Sequence, residues 1–268
     1  MDHIPIYQVD AFAEELFRGN PAAVCPLDDW LPAETMQSIA LENSLSETAF
    51  LLTGRDPVPL RWFTPKLEVK LCGHATLASA WVWLNRMRPG RDEVTFETQS
   101  GPLTVTRDGD GLTMDFPAIG SRRVAPTDVP EAVLEGIDVV PEEVRMSSDD
   151  WNYLVVLPDE AAVRGVRPDF TRLEDAHPHG VAVTAPGDGE VDFVSRYFVP
   201  SYGVPEDPVT GSLHCALTPY WAARLGREEL AAAQLSARGG RLWVTNAGDR
   251  VLLRGNVVPY LEGTIAIP

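Results

Sequence analysis

Two stretches of the chain are apolar on every side: HATLASAWVWL, from His74 to Leu84, and LHCALTPYWAA, from Leu213 to Ala223. Their length and near-absence of charge predict two helices, and a helix apolar all round belongs inside a structure. Each follows a glycine-led entry, LCGHAT at Leu71 and TGSLH at Thr210. Around them lie runs of strand character. ETAFLL and VDFVSRYFV are rich in aromatic and β-favouring residues, while VTFETQ with GPLTVTR, and RLWVTNAGDRVLLRG, read as hairpins punctuated by turn residues. Pro32 opens AETMQSIALEN, where Met36, Ile39 and Ala40 give one buried helical face. The charged stretch REELAAAQL, from Arg227, reads as an exposed helix.

The pattern repeats. GPLTVTRDGD at Gly101 matches GRLWVTNAGD at Gly240 at six of ten positions. Gly73 pairs with Gly211, and WFTP at Trp62 pairs with YFVP at Tyr197, in the same order and at nearly the same offset. Recurrence of that kind points to a duplicated unit of about half the chain. The expected organisation is an N-terminal half, 1–117, a proline-rich linker, 118–130, and a C-terminal half, 131–256. The last residues, 257–268, read as a strand able to return to the N-terminal half. Each half is expected to be α+β: a curled, barrel-like, mostly antiparallel sheet around one central buried helix.

Composition narrows the function. The formal net charge of −17 argues against nucleic acid, whose phosphates need a basic face, and against a membrane-binding cationic patch. The apolar runs are too short to span a bilayer. Three cysteines, Cys25, Cys72 and Cys215, make no disulfide framework and fit a reducing compartment, so the expected location is the cytoplasm. No phosphate loop, dinucleotide fingerprint or pyridoxal phosphate lysine context is present. A metal site from Cys72, His74, His214 and Cys215 has no recognised ligand spacing.

Candidate chemistry collects at the two glycine entries. A helix N-terminus offers unpaired N–H groups and partial positive charge, and glycine lets a ligand approach the backbone. Gly73 and Gly211 could therefore bind an anion on an acidic protein, or could simply start buried helices. Glu47 stands between a helix and an apolar strand, where partial burial suits a general acid/base. His74 is a packing residue or a donor beside Glu47. Asp207 is a turn residue or a polar contact, and Ser212 is an N-cap or a binding group. Cys72, beside a helix start, is a possible alternative base, with Thr210 at the matching place in the second half.

VDAF at Val9, GNPAAV at Gly19, SLSETAF at Ser44, LCGHATLASA at Leu71 and EDPVTGS at Glu206 occur in this order. Together they resemble the PhzF-like isomerases of phenazine biosynthesis, within the diaminopimelate epimerase fold, through nearly the whole chain. The resemblance implies two similar domains, a site in the cleft between them that needs no cofactor, and a homodimer. It implies Glu47 as the acid/base, and His74 and Asp207 as polar residues around the substrate. Gly73, Gly211 and Ser212 become helix-entry groups and Asn20 a residue near the cleft; these four, with Thr210, are the expected substrate-binding residues. Relatives that racemise use two opposed cysteines, whereas this chain has only Cys72. The expected reaction moves a proton within a small carboxylate or amino-acid-like substrate. The competing expectations are a racemase, epimerase or dehydratase using Cys72, and a small-anion-binding protein without catalysis.

Overall fold

The computed structural model describes residues 2–268, and these divide into two units, one of residues 2–115 with 254–268 and the other of 116–253. The first unit runs β1 (Asp2–Ala11), β2 (Asn20–Leu27), α1 (Ala33–Asn43), β3 (Glu47–Leu52), β4 (Val58–Phe63), β5 (Glu68–Val69), α2 (Gly73–Val82), β6 (Glu93–Thr98), β7 (Gly101–Asp108) and β8 (Gly111–Pro117). The second runs β9 (Ser121–Val124), α3 (Glu131–Ile137), β10 (Glu143–Ser147), β11 (Asn152–Val156), α4 (Glu160–Gly165), α5 (Phe170–Glu174), β12 (Gly180–Pro186), β13 (Phe193–Val199), β14 (Val204–Asp207), α6 (Gly211–Leu225), β15 (Glu229–Gln234), β16 (Gly240–Ala247) and β17 (Arg250–Gly255). The final strand, β18 (Val257–Ile267), pairs antiparallel with β1 of the first unit.

Strand pairing carries the duplication seen in the sequence. In the first unit β1–β2 is antiparallel, β2–β3 parallel, β3–β4 and β4–β5 antiparallel, β4–β6 parallel and β6–β7 antiparallel. In the second, β10–β11, β11–β12, β12–β13, β13–β14, β13–β15 and β15–β16 repeat that series of directions. The repeated decapeptides occupy β7 and β16 and the turns after them, and the glycine entries open α2 and α6. The fold is thus α+β, with curled and mostly antiparallel sheet and one buried helix in each unit.

In the first unit, strand alternation sorts side chains between two helices. Ala23, Cys25 and Leu27 of β2, and Phe50 and Leu52 of β3, pack with Met36 and Ala40 of α1. The opposite parity places Asn20, Ala22 and Val24, and Glu47, Ala49 and Leu51, on the other face, toward α2. Helix α2 buries Gly73 through Ala80 together with Val82. Its hydroxyls survive burial because Thr76 and Ser79 donate to the carbonyls of Cys72 and Ala75, one turn back.

Three sequence expectations change. Residues 118–130 are not a free linker: Ser121–Val124 forms β9 and pairs with β10, with Arg122 beside Asp150. REELAAAQL is a strand, β15, whose Leu230, Ala232 and Gln234 alternate inward. The alanine run suggested a helix, but neighbouring strands β13 and β16 claim its backbone. Ser212 is not an N-cap, because Thr210 holds that position before α6.

Candidate active site

In the first unit, Glu47, Cys72, His74 and Asn20 come together. His74, second residue of α2, is buried, and its Nε2 lies 3.1 Å from Glu47 Oε2. The other ring nitrogen, Nδ1, lies 3.1 Å from Asn20 Nδ2 and 3.5 Å from Cys72 Sγ. Asn20 reaches the ring because Gly19 turns left-handed (φ 66°) against β1, where a Cβ would meet the Ala11 carbonyl oxygen at 2.2 Å. Glu47, first residue of β3, keeps 16% of its side chain exposed. It is the ionisable member of this group that remains open to a ligand.

The approach of His74 Nε2 to Glu47 Oε2 is off the line of a hydrogen bond, and neither atom has another hydrogen-bond partner among the described residues. Burial disfavours the imidazolium of His74, but Cys72 and Glu47 favour it, and the balance raises its pKa well above the ordinary histidine value. Burial, reinforced by the Glu47 carboxylate, pushes the Cys72 thiol up to about 11. Cys72 is therefore held as a thiol, and the Glu47 carboxylate is the negative neighbour that favours the protonated form of His74. Glu47, Cys72 and His74 each present one ligand atom, all within 4.8 Å of one another, so this trio could also hold a metal ion. His214 and Cys215, the other half of the ligand set considered from sequence, are buried in α6 of the second unit.

The second unit holds the other sequence-predicted residues. Thr210 is the N-cap of α6, as Cys72 is of α2, and both are extended. Gly211 and Ser212 are the first two residues of α6. The Thr210 hydroxyl donates to Asp207 Oδ2, at the end of β14. Gln234, absent from the sequence prediction, is fully buried on β15 and accepts the Thr210 N–H at 2.9 Å. Its Nε2 donates to the Asp207 carbonyl at 2.7 Å and to Thr210 Oγ1 at 3.1 Å. A polar residue at an inward position of a strand was the available signal, masked by the helical reading of AAAQL.

Comparison with known proteins agrees with this frame. Residues 9–263 match the family model described as phenazine biosynthesis-like protein, PhzC-PhzF. The chain is 51% identical, over 98% of both chains, to a Pseudomonas aeruginosa protein named as an uncharacterised isomerase. It superposes on the crystal structure of a PhzF-family phenazine biosynthesis protein from Enterococcus faecalis with TM-score 0.92 and 42% identity, over 99% of this chain and 100% of that one. A hydroxyproline epimerase from Agrobacterium vitis, at 14% identity and TM-score 0.59 over 99% and 93% of the two chains, shares the fold. With the family motifs in order, the duplicated α+β units in place and these matches spanning nearly its whole length, the chain belongs to the PhzC/PhzF family of phenazine biosynthesis-like proteins, among which are proteins named as isomerases.

Proposed function

We propose that the protein is an isomerase that moves a proton within a small carboxylate substrate, with Glu47 as the acid/base and no cofactor. The observation that carries this reading is the Glu47–His74 pair: a partly open carboxylate against a buried imidazole at the start of α2. Glu47 abstracts a proton from a carbon beside the substrate carboxylate. The developing negative charge is met by His74 and by the first amides of α2, a helix N-terminus suited to anions. Protonated Glu47 then returns the proton to another carbon on the same face. Asp207, Thr210, Gly211 and Ser212 take the substrate-binding role implied by the EDPVTGS motif, and Asn20 supports His74. We assign the working form as a cytoplasmic homodimer.

Two features favour a carboxylate over a thiol. Burial and the Glu47 carboxylate hold Cys72 in its protonated thiol form at neutral pH. Thr210, at the corresponding place in the second unit, already donates its hydroxyl hydrogen to Asp207 and accepts from Gln234, so it is no base. Racemisation by two opposed groups therefore lacks its second member.

The test is solvent-deuterium incorporation into a panel of small unsaturated and amino carboxylates, followed by NMR. The wild-type protein should exchange and Glu47→Gln should lose at least about a hundredfold, the range for a general acid/base. Cys72→Ala should retain exchange, and so should protein dialysed against EDTA. Loss on dialysis, restored by Zn²⁺, would reassign the Glu47–Cys72–His74 trio to a metal.

A further inference from the structure

We propose that Gln234 is a positioning residue, acting through Thr210 to hold the Asp207 carboxylate as an acceptor for a donor group, ammonium or hydroxyl, on the substrate. This rests on the substrate contact assigned to Asp207 above.

The hydrogen-bond directions are fixed by elimination. The Thr210 backbone N–H can only donate, so the side-chain atom of Gln234 that receives it, at 2.9 Å, is the carbonyl Oε1. That leaves Nε2 to face the Asp207 carbonyl and Thr210 Oγ1, and as an amide nitrogen it donates to both. The Thr210 hydroxyl, accepting from Nε2, gives its single hydrogen to Asp207 Oδ2. The result is a one-way relay, Gln234 to Thr210 to Asp207, ending on a carboxylate. Chains of this kind reinforce one another at low local dielectric.

Burial makes the relay specific. Gln234 is fully buried at an inward position of β15, where its neighbours Leu230 and Ala232 are apolar. An amide there is costly unless hydrogen-bonded, and Oε1 and Nε2 are both engaged. The relay also explains why Thr210 caps α6 without a side-chain capping bond: its hydroxyl is turned to Asp207. On the neighbouring strand β13, Asp207 pairs with Tyr197, whose phenol burial keeps neutral and which donates to Asn152 at 2.6 Å. A carboxylate accepts and does not donate, which is why the ligand group expected at Asp207 is a donor.

The test reads the relay without substrate, so it can fail while the Glu47 exchange assay succeeds, and the reverse. The carboxyl carbon of Asp207, assigned by its absence in Asp207→Asn, is titrated by ¹³C NMR in the full-length protein. Thr210→Val should move its midpoint upward, because the carboxylate loses a donor, and Thr210→Ser should restore the wild-type midpoint. Gln234→Met should move it the same way, and should add nothing in the Thr210→Val background. In the wild-type protein the Gln234 side-chain amide hydrogens should exchange slowly, and Thr210→Val should speed one of them, a reading that stands even if Gln234→Met does not fold. An unmoved Asp207 midpoint in folded Thr210→Val, additive effects of the two substitutions, or rapid wild-type exchange of the Gln234 amide would overturn the relay.

Discussion

The pKa values of the two buried histidines shift in opposite directions because their neighbours differ. His214 gives its Nδ1 hydrogen to the Thr210 carbonyl at 2.8 Å, and its Nε2 has no hydrogen-bond partner among the described residues. Burial lowers its pKa to about 4, partly opposed by that carbonyl. The unfolded chain therefore binds a proton at this site between about pH 6.5 and 4 that the folded chain refuses. The stability contribution is complete above pH 6.5 and is lost as pH falls, by about 3 kcal/mol at pH 4 for one such group. Urea unfolding at a series of pH values should show His214→Asn losing correspondingly less stability between pH 7 and 4 than the wild type. His74 has the reverse sign, with its stabilisation greatest below the ordinary histidine range and lost as pH rises through its elevated folded value. Glu47→Gln removes the carboxylate but leaves the burial, so the His74 midpoint, followed by NMR, should drop.

At the scale of elements, the final strand is the clearest dependency. β18 pairs with β1 along almost its full length, and Ile265 and Ile267 pack on the core that holds Ile4, Ile6 and Phe50. Deleting residues 257–268 removes that apolar cover and leaves β1 without this partner, a hazard for aggregation. Hydrogen exchange on the truncated chain should show protection lost across β1 to β3 while β11 to β13 keep theirs. The glycine entries and the uninterrupted apolar pattern behind them made α2 and α6 readable from sequence, and β-favouring composition made β3 and β13 readable. What escaped had a physical reason. REELAAAQL combines helix-favouring residues with a strand's alternation, and partners distant in sequence, β13 and β16, decide between them. Ser121–Val124 looked like linker because its flanks carry proline and glycine, yet four residues suffice to extend a sheet once β10 offers an edge. Gln234 was missed with its strand, while Glu47 and His74 stood at element boundaries that the sequence marks.

At the scale of the whole molecule, duplication gives an acidic chain a glycine-led helix start in each unit. With a net charge of −17, attraction cannot come from the overall field, so the anion proposed above would be held by local positive potential of the kind a helix N-terminus supplies. The two units repeat one topology but differ at the N-cap. Cys72 is a thiol beside His74 and Glu47, and Thr210 is a hydroxyl bound to Asp207 and Gln234. The proton transfer by one carboxylate proposed above rests on that asymmetry. No helix among the described residues is long and apolar enough to cross a membrane. The most direct measurement is deuterium incorporation from D₂O into a small carboxylate substrate by the wild-type protein, Glu47→Gln and Cys72→Ala. Exchange by the wild type and Cys72→Ala, with loss in Glu47→Gln, is the predicted result; full exchange by Glu47→Gln would contradict it.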